Sequence, residues 1–174
     1  MKEAKPKPYH HGDLRDAAIR VALEKLDAGG DLASLRALAD RLGVAHRALY
    51  RHFENRKELE RALAAVGLER LEAEVQGAQD VQGVAHAYLA FALDQSALYA
   101  LVMSAGQEAF GREPMSAPLT RLLQTLRRVT EWPDARIQRL WLQMHGGIEL
   151  YNSGLLDVSS RDEFTTWMTS LATQ

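Results

Sequence analysis

The sequence predicts an all-α protein. Apolar residues recur three and four positions apart along nearly the whole chain, and no sustained alternation marks a strand. Ala and Leu, both good helix formers, dominate the periodic segments. Pro and Gly are sparse (5 and 12 of 174 residues) and fall between those segments rather than inside most of them.

The first helix is expected over about 13–28. Leu14, Ala18, Val21 and Ala22 form its stripe, Ile19, Leu23 and Leu26 widen it, and Gly29-Gly30 stop it. Ser34 is a good N-cap for a short second helix, on which Leu35, Leu38, Ala39 and Leu42 stand at i, i+3, i+4 and i+7 before Gly43 ends it. A third helix is expected over about 45–53, with Leu49 and Phe53 one turn apart. Asn55, with Glu58 three residues on, has capping-box spacing for a long fourth helix lined by Leu59, Leu63, Val66 and Leu71 out to about Val75.

Five more helices follow. The first spans about 84–95 and carries Tyr88, Phe91 and Ala92. Ser96 caps the next, over 97–105. Another covers about 117–131, with Leu119, Leu122, Leu123 and Leu126. Residues 134–153 carry Ile137, Leu140, Trp141, Met144 and Ile148. The last, about 161–172, carries Phe164, Trp167, Met168 and Leu171, with Ser160 and Glu163 at capping-box spacing. No internal repeat or low-complexity tract is present.

Composition excludes several chemistries. The chain has no Cys, which removes disulfides, Cys-ligated zinc, iron–sulfur clusters and thiol catalysis. No apolar run approaches membrane-spanning length, and the basic start Met1–Pro8 has no apolar stretch behind it, so neither a membrane partner nor a signal peptide is expected, and the expected location is cytoplasmic. His10-His11 lack the further partners a metal site needs, His86 has no acidic residue at i±3 or i±4, and His145 has only Glu149 at i+4. With no phosphate-binding Gly loop, nucleophile elbow or two-carboxylate site, neither an enzyme nor a cofactor is expected.

The net charge of −2 hides an asymmetry. Residues 1–57 hold 12 Lys+Arg and 8 Asp+Glu, whereas residues 58–174 hold 9 Arg, no Lys and 15 Asp+Glu. A basic head on an acidic body suggests a division of labour. The head contains the most informative stretch, from Ser34 to Phe53. Ala39, Gly43 and Leu49 have the spacing of a helix-turn-helix: a small residue where two helices cross, a residue tolerant of positive φ at the turn, and an apolar wedge. The run Arg41–Phe53 contains no acid. His46, Arg47, Tyr50 and Arg51 remain for the outer face of the third helix. His46 and Arg47, at its start, are candidates for base edges in a major groove. Tyr50, His52 and Lys57 suit phosphate oxygens.

These residues also carry a resemblance. Tyr9-His10-His11-Gly12-Asp13-Leu14-Arg15, Ser34-Leu35-Arg36, Leu38-Ala39, Leu42-Gly43-Val44, Leu49–Phe53, Asn55 and Lys57-Glu58-Leu59 together resemble the N-terminal part of the TetR family of bacterial transcriptional regulators, over about residues 9–70. Further on, Tyr88–Tyr99 is similar to a segment of the family's regulatory domains, and Trp141-Leu-Gln-Met-His145-Gly146 resembles a Trp…His-Gly signature of one subgroup. The resemblance implies a homodimer that binds double-stranded operator DNA, commonly as a repressor released by a small-molecule effector. It divides the chain into a DNA-binding head at 9–57, a connecting helix to about 76, and a regulatory and dimerisation body at 77–174. It assigns phosphate contacts to Ser34, Tyr50, His52 and Lys57 and base reading to Ala45, His46 and Arg47. Position 45 departs from the family, where Ser or Thr is frequent; Ala45 removes a cap or a phosphate contact.

In the body, Tyr88, Phe91, Tyr99, Met103, Phe110, Trp141, Met144 and His145 are candidates for an apolar effector pocket, set against the simpler role of core packing. The resemblance places the dimer interface on the last two long helices, about 134–153 and 161–172, with Ile148, Tyr151, Phe164, Trp167, Met168 and Leu171 as candidates. A different class also fits the helical pattern, namely a small-molecule-binding or scaffold protein without DNA activity; the acid-free basic face argues against it.

Overall fold

The computed structural model describes residues 11–109 and 117–172. Among them there are nine α-helices and no strand: α1 (His11–Asp27), α2 (Leu35–Leu42), α3 (His46–Tyr50), α4 (Arg56–Gln76), α5 (Val81–Asp94), α6 (Ser96–Ala109), α7 (Ala117–Thr130), α8 (Asp134–Asn152) and α9 (Arg161–Leu171). The chain divides into two compact units between Leu63 and Ala64, inside α4. No single helix among the described residues is long and apolar enough to cross a membrane.

In the first unit, α2 packs on α3 and on α1. The core is Leu14, Ala17, Ala18, Ala22 and Leu26 of α1, Leu35, Leu38 and Ala39 of α2, and Leu49, Phe53 and Leu59. The turns that aim these helices are built by backbone bonding. Gly29, at φ 74°, lets its own N–H reach Leu26 O while Gly30 N–H reaches Lys25 O. Gly43, at φ 67°, repeats the pattern onto Asp40 O, with Val44 N–H on Ala39 O. A left-handed residue satisfies the last carbonyls of each helix at one stroke, and glycine adopts that conformation without steric penalty.

In the second unit α5 is the hub, packing against α6, α7, α8 and α9. Its buried face is Val84, Ala85, Tyr88, Leu89, Phe91 and Ala92. Leu98, Tyr99 and Val102 of α6, Ile137, Leu140, Met144 and Ile148 of α8, and Phe164 and Met168 of α9 complete the core. Close approach is bought by glycine at two points. A Cβ on Gly67 of α4 would stand 2.5 Å from Val102 Cγ2, and one on Gly147 of α8 would collide with the Met168 side chain.

Four boundaries differ from the sequence expectation. The third helix stops at Tyr50, because the chain turns at Arg51–His52 to drive Phe53 into the core. α5 begins at Val81, three residues earlier than expected, because Asp80 Oδ1 accepts the Gly83 N–H at 2.8 Å and caps it. Ser96 is the first residue inside α6 and not its cap. Gln95 joins the two helices, donating its N–H to Phe91 O and accepting from Tyr99 N–H, across a bend of 105°. α6 also runs on to Ala109, beyond the expected end at 105.

Candidate nucleic-acid interface and regulatory cluster

Ser34 stands at the entrance to α2, where its Oγ accepts the Ala37 N–H at 3.2 Å. That leaves the hydroxyl proton able to donate outward. Ala45 holds the N-cap position of α3 with extended backbone (φ −63°, ψ 137°) and no side-chain cap. The helix it opens has only five residues, too few to persist alone. Its position is set by Leu49 and Phe53, both fully buried. The Arg15 guanidinium lies 5.2 Å from the Phe53 ring centroid, bracing that ring from α1.

With the wedge fixed inward, the polar side chains of α3 turn out. Arg47, Tyr50 and Arg51 are exposed, Tyr50 by 51%. Arg47 makes no ion pair or hydrogen bond among the described residues. His52 is half-buried and Lys57 is exposed. His46 differs from its expected state. Its Nε2 lies 2.6 Å from Asp40 Oδ1, an acid on α2, so one ring nitrogen is already engaged across the turn. Asp40 is therefore a residue of this face that the sequence pattern did not single out. The start of α4 is capped by Asn55, whose Oδ1 accepts the Glu58 N–H at 3.1 Å, while Glu58 Oε2 accepts the Glu54 N–H at 2.6 Å.

In the body, five of the pocket candidates come together. Tyr88 and Tyr99 meet edge to face at 5.9 Å, Phe91 and Tyr99 at 6.4 Å, and the Trp141 and His145 rings stack at 5.5 Å. Tyr88 Oη lies 3.2 Å from Tyr99 Oη, which lies 2.6 Å from His145 Nδ1. The Trp141 indole hydrogen-bonds Tyr88 and can only donate. The two phenols and the Nδ1 edge of His145 form one hydrogen-bonded row, which leaves the Nε2 edge of the ring outside it. Burial pushes the Tyr88 phenol well above its ordinary value, with the adjoining Tyr99 adding to the effect. Burial likewise pushes Tyr99 up to about 12, with the Glu149 carboxylate acting in the same direction. Both phenols are donors throughout the physiological range. Met144 is buried in the core and Met103 is half-buried. Phe110 lies outside the described residues.

The interface candidates separate into two groups. Ile148, Phe164 and Met168 are buried within the protomer, where Phe164 stacks on Tyr151 at 4.3 Å. Leu171 and Tyr151 are half-buried, and Trp167 is exposed. Three exposed apolar residues were absent from the candidates: Leu142, Leu150 and Leu155. Apolar periodicity alone does not distinguish Leu142 and Leu150 from core positions on α8, and Leu155 follows the end of that helix. Among the described residues, no group of three or more His, Asp or Glu could hold a metal ion.

Comparison with known proteins matches both units. The family model for bacterial regulatory proteins of the tetR family matches residues 14–63, and that for the tetracyclin repressor-like C-terminal domain matches residues 81–172. The tetracycline repressor protein class C of Escherichia coli is 53% identical over 51 residues, which make up 29% of this chain and 23% of that protein. This chain thus matches less than a quarter of the relative's length. A solved protein of unknown function from Rhodococcus sp. RHA1 superposes over 97% of both chains with a TM-score of 0.70 and 25% identity. A second solved structure, of a protein ascribed a regulatory role (SCO4313), covers 97% of this chain and 98% of its own with a TM-score of 0.63 and 22% identity, a likeness of fold. With a head-type match on the helix-turn-helix and a C-terminal match spanning more than half of its length, this chain belongs to the TetR family of bacterial regulatory proteins.

Proposed function

We propose that the protein is a sequence-specific, DNA-binding transcriptional regulator, acting as a homodimeric repressor that a small-molecule effector releases from its operator. The head at 9–57 binds DNA, the helix to about 76 connects, and the body at 77–174 binds effector and partner. The observation that carries the reading is the outer side of α3 and its C-cap: Arg47 and Tyr50 exposed on an acid-free helix, Arg51 exposed at the cap, and the inner side locked by Leu49 and by Phe53 just beyond the helix. An α-helix of this kind fits a major groove, with its first residues on base edges. Arg47 is the base reader in this proposal, by the two-pronged contact a guanidinium makes with guanine. Ser34, Tyr50, Arg51, His52 and Lys57 hold phosphates, and His46 and Ala45 lie against the bases.

The effector site is proposed at the Tyr88–Tyr99–His145–Trp141 cluster, with the Nε2 edge of His145 as the polar group that a ligand meets. The Trp141…His145-Gly146 likeness to one regulatory subgroup belongs to the same proposal. An effector acts only by binding the DNA-incompetent state more tightly than the competent one. The dimer is proposed on α8 and α9.

The test is binding to the DNA flanking the protein's own gene, measured over a range of salt. The expected complex prefers one sequence over scrambled duplex and weakens steeply as salt rises, since phosphate contacts release counterions. In the Arg47→Ala variant, discrimination at the contacted base pair falls by about 1–3 kcal/mol. Unchanged sequence preference in that variant would remove Arg47 from the base-reading role, and no salt-sensitive complex at any neighbouring site would remove the function.

A further inference from the structure

The outward side of α8 carries three features that packing within one protomer does not account for. The first is Gly146, in the middle of the helix. A Cβ there would meet nothing within 4 Å, yet glycine at such a position costs about 1 kcal/mol against alanine. The second is a knob at the C-terminal end. Gly154, at φ 69°, turns the chain back so that Leu155 N–H reaches Leu150 O at 3.1 Å. Leu155 is thereby held at the last turn of α8, and it is 74% exposed. The third is a hole at the N-terminal end. A groove of about 440 Å³ opens where the first half of α8 lies beside the end of α9. Trp132 is its wall, Leu140, Leu171 and Ala172 are its apolar floor, and Arg136 and Arg139 stand at its rim.

Knob and hole lie on opposite sides of Gly146 at matching distance. Arg139 and Leu140 precede the glycine by seven and six residues, and α8 ends at Asn152, six residues after it. At 1.5 Å per residue, each end lies about 10 Å from Gly146 along the axis. A two-fold axis at Gly146, running a second α8 antiparallel across the first, therefore carries the knob of each copy to the hole of the other. The same operation sets Leu142 opposite Leu150 of the partner subunit, since the two stand four residues either side of the glycine. The missing side chain at Gly146 then lets the two helix backbones approach closely. Charge agrees with this arrangement. Asp157, exposed two residues past the knob, arrives at the rim made by Arg136 and Arg139.

We propose that the groove is the socket for Leu155 of the partner subunit, in a two-fold dimer whose α8 helices cross antiparallel at Gly146. This socket rests on the dimer proposed above and gives that dimer a crossing point and a direction.

The N-terminally labelled full chain is followed by fluorescence-detected sedimentation over a range of concentrations. The parent is expected to dimerise. Leu155→Ala empties both sockets and is expected to weaken the dimer about a hundredfold, while keeping the helical circular dichroism of the parent. Direction is read separately. The chain has no Cys, so an introduced thiol is unique. Arg139→Cys and Leu155→Cys chains are mixed and treated with a short bismaleimide. The mixed pair is expected to cross-link about tenfold more than either like pair, because like positions stand about 20 Å apart along the crossed helices. A parent that stays monomeric overturns the dimer and the socket with it. A dimeric parent matched by an equally tight Leu155→Ala dimer overturns the socket and leaves the dimer standing. Cross-linking of like pairs in preference to the mixed pair overturns the antiparallel crossing.

Discussion

His46 and Arg47 are neighbours at the start of α3 and stand in different electrostatic company. Arg47 has no partner among the described residues, whereas His46 Nε2 is held 2.6 Å from Asp40 Oδ1. The pair places a carboxylate on a face otherwise made of donors. A like-signed group beside phosphates lowers affinity for every sequence, while holding the ring in one pose sharpens what that ring can read. Asp40→Ala is therefore expected to tighten binding to scrambled duplex several-fold, and to narrow the gap between operator and scrambled DNA by about 1 kcal/mol. Parallel titrations on the two duplexes decide it, and an unchanged gap would leave Asp40 without a role in selectivity. Asp40 was not legible as a site residue because its partner is six positions away, across the turn rather than along one helix. His145 and Tyr99 were both legible as pocket candidates, but their bond to each other was not, since they stand 46 positions apart. Tyr99 itself carries a pH prediction. Its pKa of about 12 in the fold exceeds the ordinary value of 10, so the folded state holds this proton more tightly than the unfolded one. Its contribution is complete below pH 10 and is lost as pH rises from 10 toward 12. Tyr88 shifts in the same direction. Stability should fall over that window with a slope on the order of 1 kcal/mol per pH unit. Tyr99→Phe should flatten the slope, as read from urea unfolding at pH 9 and pH 11 with tyrosinate absorbance followed alongside.

At the scale of elements, glycine has opposite meanings in two helices. Gly67 lies where α4 meets α6, and a methyl there would enter Val102, a β-branched side chain with little freedom to move. Overpacking costs about 1–3 kcal/mol, while alanine in a helix returns about 1 kcal/mol, so Gly67→Ala is expected to lose about 1 kcal/mol of stability. Gly146 has nothing within 4 Å of its Cβ position in the protomer. Gly146→Ala should therefore gain up to about 1 kcal/mol in protomer stability. Urea unfolding of the two variants under conditions of equal association state gives the comparison, and a shift of the same sign in both would contradict this packing account. The helices themselves were largely legible, because each carries its own punctuation: Gly29, Gly43 and Gly154 at positive φ, and Ser34, Asn55 and Ser160 as caps whose side-chain oxygens accept from the first turn. The ends that were misplaced lack such signals or hide them. Asp80 is a cap followed by Val81-Gln82-Gly83, which reads as a loop until its carboxylate is seen on Gly83 N–H. The end of α3 is set by burial of Phe53, a tertiary demand that periodicity along α3 does not contain.

For the whole molecule, sequence periodicity identified apolar faces but not which of them the protomer covers. α8 shows both kinds. Ile137, Leu140, Met144 and Ile148 are inside, whereas Leu142 is 60% exposed and Leu150 44% exposed, with Gly146 between them at four-residue spacing. Trp167 on α9 is 43% exposed. Burial of Ile148, Phe164 and Met168 within the protomer assigns them to its core, and leaves Leu142, Leu150 and Trp167 as the apolar surface for a second copy in the proposed dimer. The consequence for DNA is steep. A dimer presents two heads to one pseudo-palindromic site, so the second contact forms at the high effective concentration set by the first. Leu142→Arg places a long cation on that surface without touching the protomer core. The expected result is a chain that keeps its helical circular dichroism, sediments as a monomer at concentrations where the parent is dimeric, and loses about a hundredfold or more in affinity for the full operator. Affinity for an isolated half-site should stay near the parent's, because Arg47 and the rest of α3 are unaltered. Sedimentation equilibrium and paired titrations on full and half sites separate the possibilities. A variant that remains dimeric would move the interface away from this stripe. A monomer with undiminished operator affinity would show that the two heads do not bind as a linked pair.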